Sequence, residues 1–411
     1  MSDASFHAPL RQIWGRVAVL RDRPVEQKLD PTYSVTWQFP CGMFARAGLR
    51  LLAWGGRYDM KVGIIGFARS GKTTVFNALS GAHAAVGAFG SRDANIGVIK
   101  VPDARVDFLA AIHKPKKVTY AEVQFIDIAP NETGGETKVL DGAALAVLKN
   151  ADALVHVIRA FQSEEVMHPK DTVDPVRDCK ALDEELQITD LIVVEKRIER
   201  LEKEHSKGAE LDLLRRCRAH IEAGSSLRTL ELSPYEAIEI NGFGFLSQKP
   251  MLILGNYGED DIGKPDPSGL AAYAGENALG LIDLCGKMEL EVAELPDEER
   301  KAFRDDLGLG EESRTRFLHA TYDMLGLMSF LTAGEPEVRA WTIRKGIHAV
   351  DAAGVIHSDI QRGFIRAEVV RFADFEAAGS MAKAKEQGHF RLEGKDYIVQ
   401  DGDIMLFRFN V

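Results

Sequence analysis

From residue 60 onward, the apolar and polar positions fall into alternating blocks with strand and helix character. Residues 62–66, 96–101, 118–128, 153–158, 250–255 and 280–284 are short runs, several apolar at nearly every position, as expected for strands buried on both faces. Helix-like stretches separate them. This alternation predicts a doubly wound α/β domain with a mostly parallel sheet and a ligand crevice at the carboxyl ends of its strands. Between about residues 183 and 223 the strand signal stops, and apolar residues recur at helical spacing among dense charges. Gly208 divides that stretch, which predicts an antiparallel helical hairpin projecting from the sheet domain. Beyond about residue 327, short strands alternate with Gly-containing turns and one helical stretch over 374–387, so a small β-rich domain ends the chain.

The expected map is therefore a nucleotide-binding domain over 60–182 and 250–326, an inserted hairpin over 183–249 and a C-terminal domain over 327–411. Residues 1–59 carry no period that ties them to a core. They are expected to form a loosely ordered extension or to lie upstream of a start at Met60.

Gly66 to Thr73 read GFARSGKT, which fits the phosphate-loop pattern G-x-x-x-x-G-K-[ST] and lies between an apolar strand and a helix start. Such a turn points successive backbone N–H groups and the positive helix end at one place, which suits a β-phosphate. Gly66, Arg69, Ser70, Gly71, Lys72, Thr73 and Thr74 are the expected phosphate-side residues. Lys72 would reach the β/γ-phosphates and the Thr73 hydroxyl would meet Mg²⁺. Asp127, closing the run VQFID, is the expected acidic partner of that metal ion, usually through water.

The residues after it depart from the GTPase pattern D-x-x-G. Asp127-Ile128-Ala129-Pro130 puts proline, which has no N–H to donate, where a glycine would bond the γ-phosphate. Asn131 and Glu132 are the candidates for orienting water. After the strand KPMLILG comes Asn256-Tyr257-Gly258-Glu259, an NxxE where a guanine-specific site carries NKxD. The acid is one methylene longer and the lysine is missing, so guanine selectivity is expected to be lost and adenine admitted.

Composition narrows the function classes. Fifty-one Lys and Arg against 62 Asp and Glu give a net charge of -11, so there is no bulk attraction to nucleic acid, and contact with RNA needs local basic patches. Cys41, Cys179, Cys217 and Cys285 are dispersed without metal-ligand spacing, which fits a reducing cytoplasm and argues against a zinc site. No run is long and apolar enough to span a bilayer, so no membrane role is expected.

Taken together, GFARSGKTTVFNALSG, NIGVIKVPDARVDFLA, ADALVHVIRAF, the NxxE at Asn256, KMELEVAELPDEER and the long run from LTAGEPEVRAWTIRKG to RLEGKDYIVQDGDIMLFRFNV resemble the YchF subfamily of Obg-related P-loop ATPases. The resemblance implies an ATP-preferring relative of the translational GTPases, with a coiled-coil hairpin, a β-grasp TGS domain and ribosome association. It also implies Ser91 as a further Mg²⁺ ligand, and Asn256 and Tyr257 along the adenine. The chain departs from the family's usual pattern at Arg69-Ser70, at Ser91 and after Asp127. Three functions follow as expectations: a slow ATP-hydrolysing switch, a scaffold that holds nucleotide without hydrolysing it, and, more remotely, a small-molecule kinase.

Overall fold

The computed structural model describes residues 60–80, 95–128, 139–306 apart from 263, 265 and 267, and 313–410. The expectations for residues 1–59, Ser91, Pro130, Asn131 and Glu132 lie outside these.

Twelve strands form two six-stranded sheets among the described residues. The first contains β1 (Lys61–Ile65), β2 (Asn95–Val101), β4 (Ala121–Asp127), β5 (Ala153–Arg159), β6 (Met251–Asn256) and β7 (Gly280–Leu284) in the order β2-β4-β1-β5-β6-β7. All its pairings are parallel except that of β2 with β4. Every residue of β5 and β6 is buried, which explains their near-continuous apolar sequences: helices cover both faces. The chain leaves β1 towards β4 on one side and later crosses to β5 on the other. The end of β1 is therefore the topological switch point, where a crevice opens.

The second sheet runs β11-β10-β12-β8-β9-β3, from β3 (Val118–Thr119), β8 (Leu327–Ala333), β9 (Val338–Arg344), β10 (Phe364–Arg371), β11 (Arg391–Glu393) and β12 (Asp403–Phe409). The strands β8 and β12 lie parallel at its centre, with antiparallel partners outside them and the helix Ala349–Ile356 packed into the same core as Phe330, Val369 and Phe407. That is the layout expected of a β-grasp unit.

Two expectations need correction. The run 118–128 is two strands: Val118–Thr119 pairs with β9 of the C-terminal sheet, and after Tyr120 the chain enters β4, which joins the nucleotide-side sheet. The helical stretch 374–387 is also divided, because Gly379 adopts φ 73 and closes the first helix at Ala378.

The hairpin starts earlier than its charge pattern suggests. Its first helix, α1 in the numbering of the insertion, spans Pro175–Lys203, with Asp174 as N-cap accepting the Arg177 N–H; its second, α2, spans Ala209–Glu222. The proximal half of α1 buries Cys179, Leu182 and Leu186 against the sheet. The distal half buries Val194, Ile198 and Leu201 against Leu211, Leu214, Cys217 and Ile221 of α2, in a cluster that contains no strand residue. Arg197 bonds Glu210 and Arg215 bonds Glu202 across the two helices, and the short link 204–208 between them turns the chain back on itself.

Candidate nucleotide site

The site starts from two glycines that packing makes obligatory. Gly66, just after β1, has φ 150, and a Cβ there would lie 2.4 Å from the Val157 carbonyl oxygen of β5. Gly71 has φ 91, and its Cβ would lie 2.3 Å from Asn256 Nδ2. Side chains at either position would push the loop off the sheet. The helix after it, Lys72–Ser80, buries Val75, Phe76 and Leu79 and leaves its N-terminus facing the crevice. Gly71, Lys72, Thr73 and Thr74 form that first turn, where backbone N–H groups favour an anion.

Lys72 is buried, and its Nζ donates to the carbonyl oxygens of Gly66 (2.9 Å) and Phe67 (2.8 Å). Burial lowers its pKa to about 8, opposed by the negative charge of Asp127. The Thr73 hydroxyl, in the first turn of that helix, donates to Asp127 Oδ2 at the end of β4 at 3.0 Å. Asn95, at the start of β2, donates its Nδ2 to the same oxygen at 3.3 Å. Asp127 Oδ1 is buried and has no hydrogen-bond partner among the described residues. A hydroxyl and a carboxylate side by side, with one carboxylate oxygen unmatched, form a hard oxygen donor set that fits Mg²⁺ with its waters and a phosphate.

Asn256 acts as a strut. Its Nδ2 donates to the Ser70 carbonyl at 3.0 Å and its Oδ1 accepts the Gly286 N–H at 2.9 Å, so it ties the phosphate loop to the helix Gly286–Glu294. Tyr257 is also buried. Its hydroxyl donates to Asp266 Oδ1 at 3.0 Å and bonds Ser268 Oγ at 2.9 Å, so what it gives the crevice is the fixed course of its backbone. Glu259 is exposed and pairs with Lys287 at 2.9 Å.

The structure thus brings Gly66, Arg69, Ser70, Gly71, Lys72, Thr73, Thr74, Asp127 and Asn256 around one loop, with Tyr257 and Glu259 on the neighbouring wall. Three residues were not anticipated from sequence. Asn95 looked like an ordinary strand edge, and Lys287 is supplied by a helix remote in sequence. Arg159 carried a legible signal, since it ends the all-buried run ALVHVIR one strand away from the loop.

A mostly parallel sheet, a phosphate loop at its switch point and a hydroxyl–carboxylate pair suited to a metal define a P-loop nucleoside-triphosphatase of the Obg-like class. A family model described as a 50S ribosome-binding GTPase matches residues 61–205, and the YchF GTPase C-terminal model, described as a protein of unknown function, matches 327–410. The chain is 41% identical over 367 residues to the ribosome-binding ATPase YchF of Bacillus subtilis, covering 86% of this chain and 100% of the relative. It is 39% identical to the protein of that name from Haemophilus influenzae, covering 85% and 99%. The solved structure of the Schizosaccharomyces pombe YchF GTPase superposes with a TM-score of 0.76 at 30% identity, covering 85% of this chain and 98% of that one. The chain belongs to the YchF family.

Proposed function

We propose that this protein is an ATP-binding, slowly ATP-hydrolysing molecular switch that associates with the ribosome in the cytoplasm. The observation that carries the reading is the contact of Thr73 with Asp127 beside the buried Lys72, a phosphate and metal cradle already assembled at the switch point. The backbone of residues 69–74 wraps the phosphates, Lys72 neutralises the β/γ oxygens, and Thr73 and Asp127 hold Mg²⁺, with Ser91 as a further ligand. Bound Mg²⁺ supplies charge neutralisation at the transferring phosphoryl group.

Adenine preference rests on the NxxE wall. A guanine site needs a carboxylate open to two base N–H groups, and here Glu259 pairs with Lys287. Asn256 and Tyr257 shape the same wall. Ribosome association is supported by the names of the relatives and by the hairpin, whose distal half packs in a cluster that contains no strand residue. Co-sedimentation with ribosomes in the presence of a non-hydrolysable ATP analogue or ADP tests it: nucleotide-dependent pelleting is expected, and no pelleting in either state contradicts it. Pro130 favours one second reading, a scaffold that holds ATP unhydrolysed. Single-turnover phosphate release no faster than free ATP hydrolysis would select the scaffold.

A further inference from the structure

Arg69 stands out within the phosphate loop. Unlike its neighbours Ser70 and Lys72, it is exposed, and it has φ 61, a left-handed backbone that costs an arginine about 1 kcal/mol or more and that Gly or Asn would accept at less cost. Strain of this kind persists where the side chain is used or where packing leaves no alternative. The hydrogen bond its side chain makes among the described residues is long, Nη1 to the Met167 carbonyl at 3.3 Å.

That resting place is also electrostatically poor. Arg159, at the end of β5, lies beneath it. Its Nε donates to the Phe161 carbonyl at 3.1 Å, its Nη2 donates to the Val166 carbonyl at 2.7 Å, and its guanidinium lies 4.5 Å over the Phe161 ring. Arg159 is only 2% exposed, and its Nη1 has no partner among the described residues. Burial, and then the charge of Arg69, hold its guanidinium below its ordinary value. The two guanidinium groups thus bond adjacent carbonyls, those of Met167 and Val166, beside the phosphate cradle, and among the described residues no carboxylate bonds either. A dense anion placed in the cradle would relieve both.

The switch sequence identifies what is missing there. With Pro130 in place of the D-x-x-G glycine, position 130 has no backbone N–H to offer the γ-phosphate. We propose that Arg69 is a catalytic arginine supplied in cis: when ATP binds, its guanidinium leaves the Met167 carbonyl and contacts the γ-phosphate, with Arg159 repelling it forward and fixing the 160–167 loop behind it. The inference rests on the ATP-site reading above. In the reaction, a water oxygen bonds to the γ-phosphorus as the bond to the β,γ-bridging oxygen breaks. The bridging electron pair stays with ADP, and the proton lost by water passes to phosphate or solvent. Arg69 neutralises charge on the equatorial and bridging oxygens as that exchange occurs.

The test compares the full chain with Arg69→Ala, Arg69→Lys and Arg69→Asn, the last chosen because Asn suits the left-handed backbone. Three quantities are read: affinity for a non-hydrolysable ATP analogue, single-turnover phosphate release, and retention of ADP with aluminium fluoride, which mimics the transferring phosphoryl group. The expected result is affinity within about tenfold of the parent, release slower by on the order of 10³-fold, and loss of fluoride-dependent ADP retention in all three variants. Added guanidinium ion should partly restore release in Arg69→Ala. The proposal is overturned if release and retention stay within about threefold of the parent, if affinity falls in step with rate, or if the parent chain does not hydrolyse ATP. Lys72→Ala separates the two failures. If that variant still binds the analogue normally, the site reading is wrong and this inference falls with it. If it loses binding while Arg69 variants behave like the parent, only the catalytic arginine is wrong.

Discussion

At the residue scale, the loop is held by a few contacts that cannot be exchanged. Asn256 satisfies the Ser70 carbonyl and the Gly286 N–H at once, so Asn256→Ala leaves both unpaired. It should cost roughly 2 kcal/mol in denaturant unfolding, with weaker ATP binding. Unchanged stability and affinity would contradict the strut role. Lys72 gives a pH signature of two opposed trends. Its folded pKa of about 8 lies below the ordinary 10.5, so a buried charge burdens the fold below about pH 8. Between pH 8 and 10.5 the unfolded chain holds the extra proton, and the stability of the nucleotide-free protein rises with pH. ATP affinity should fall over the same window, because the neutral amine no longer meets phosphate. Lys72→Met should flatten both trends in parallel titrations and melts; trends that persist in this variant belong to other groups. Much of this site was legible, since G-x-x-x-x-G-K-T dictates the loop and Asp127 follows an apolar strand. The double engagement of Asn256 and the pairing of Glu259 with Lys287 were not, because each depends on a helix that begins about thirty residues later.

At the scale of elements, the hairpin is anchored by buried acids. Asp190 accepts the Leu246 and Ser247 N–H groups at 2.8 and 2.7 Å, and Asp183 accepts from Arg228 at 2.7 Å and from Gln187 at 3.1 Å. The positive charge of Arg228 and these hydrogen bonds outweigh burial and hold the Asp183 carboxyl below its ordinary value. Removing the arginine strands a buried charge. Arg228→Ala should therefore cost about 3 kcal/mol or more and loosen the hairpin root, read as faster amide exchange in α1, while an exposed pair such as Arg200–Glu204 should cost well under 1 kcal/mol. Equal costs at the two places would contradict the anchoring. Helical periodicity made the hairpin readable. It could not separate Asp183 and Asp190 from the solvated acids around them, because sequence density does not report burial.

For the whole molecule, the two sheets share one core. Phe125 of β4 packs 5.2 Å from Phe317, and the same cluster continues through Leu331, Val338 and Ile404 of the C-terminal sheet. Arg105 bonds Asp401 at 2.7 Å, and β3 pairs with β9. A chain ending at residue 326 would expose that cluster, so it should melt at lower temperature than the full chain and aggregate; a truncated chain that melts like the full one would contradict the shared core. The alternation of strands and helices made both sheets readable, but the split of 118–128 depends on a partner strand more than two hundred residues away, which no local pattern contains. The proposed function rests at this scale on adenine nucleotide entering the cradle beside Lys72. Calorimetric titration of Mg²⁺–ATP and Mg²⁺–GTP into the full chain and into Lys72→Ala tests that most directly. ATP should bind at least about tenfold tighter than GTP, and the variant should lose ATP binding. Equal or tighter GTP binding, or ATP binding indifferent to Lys72, would contradict it.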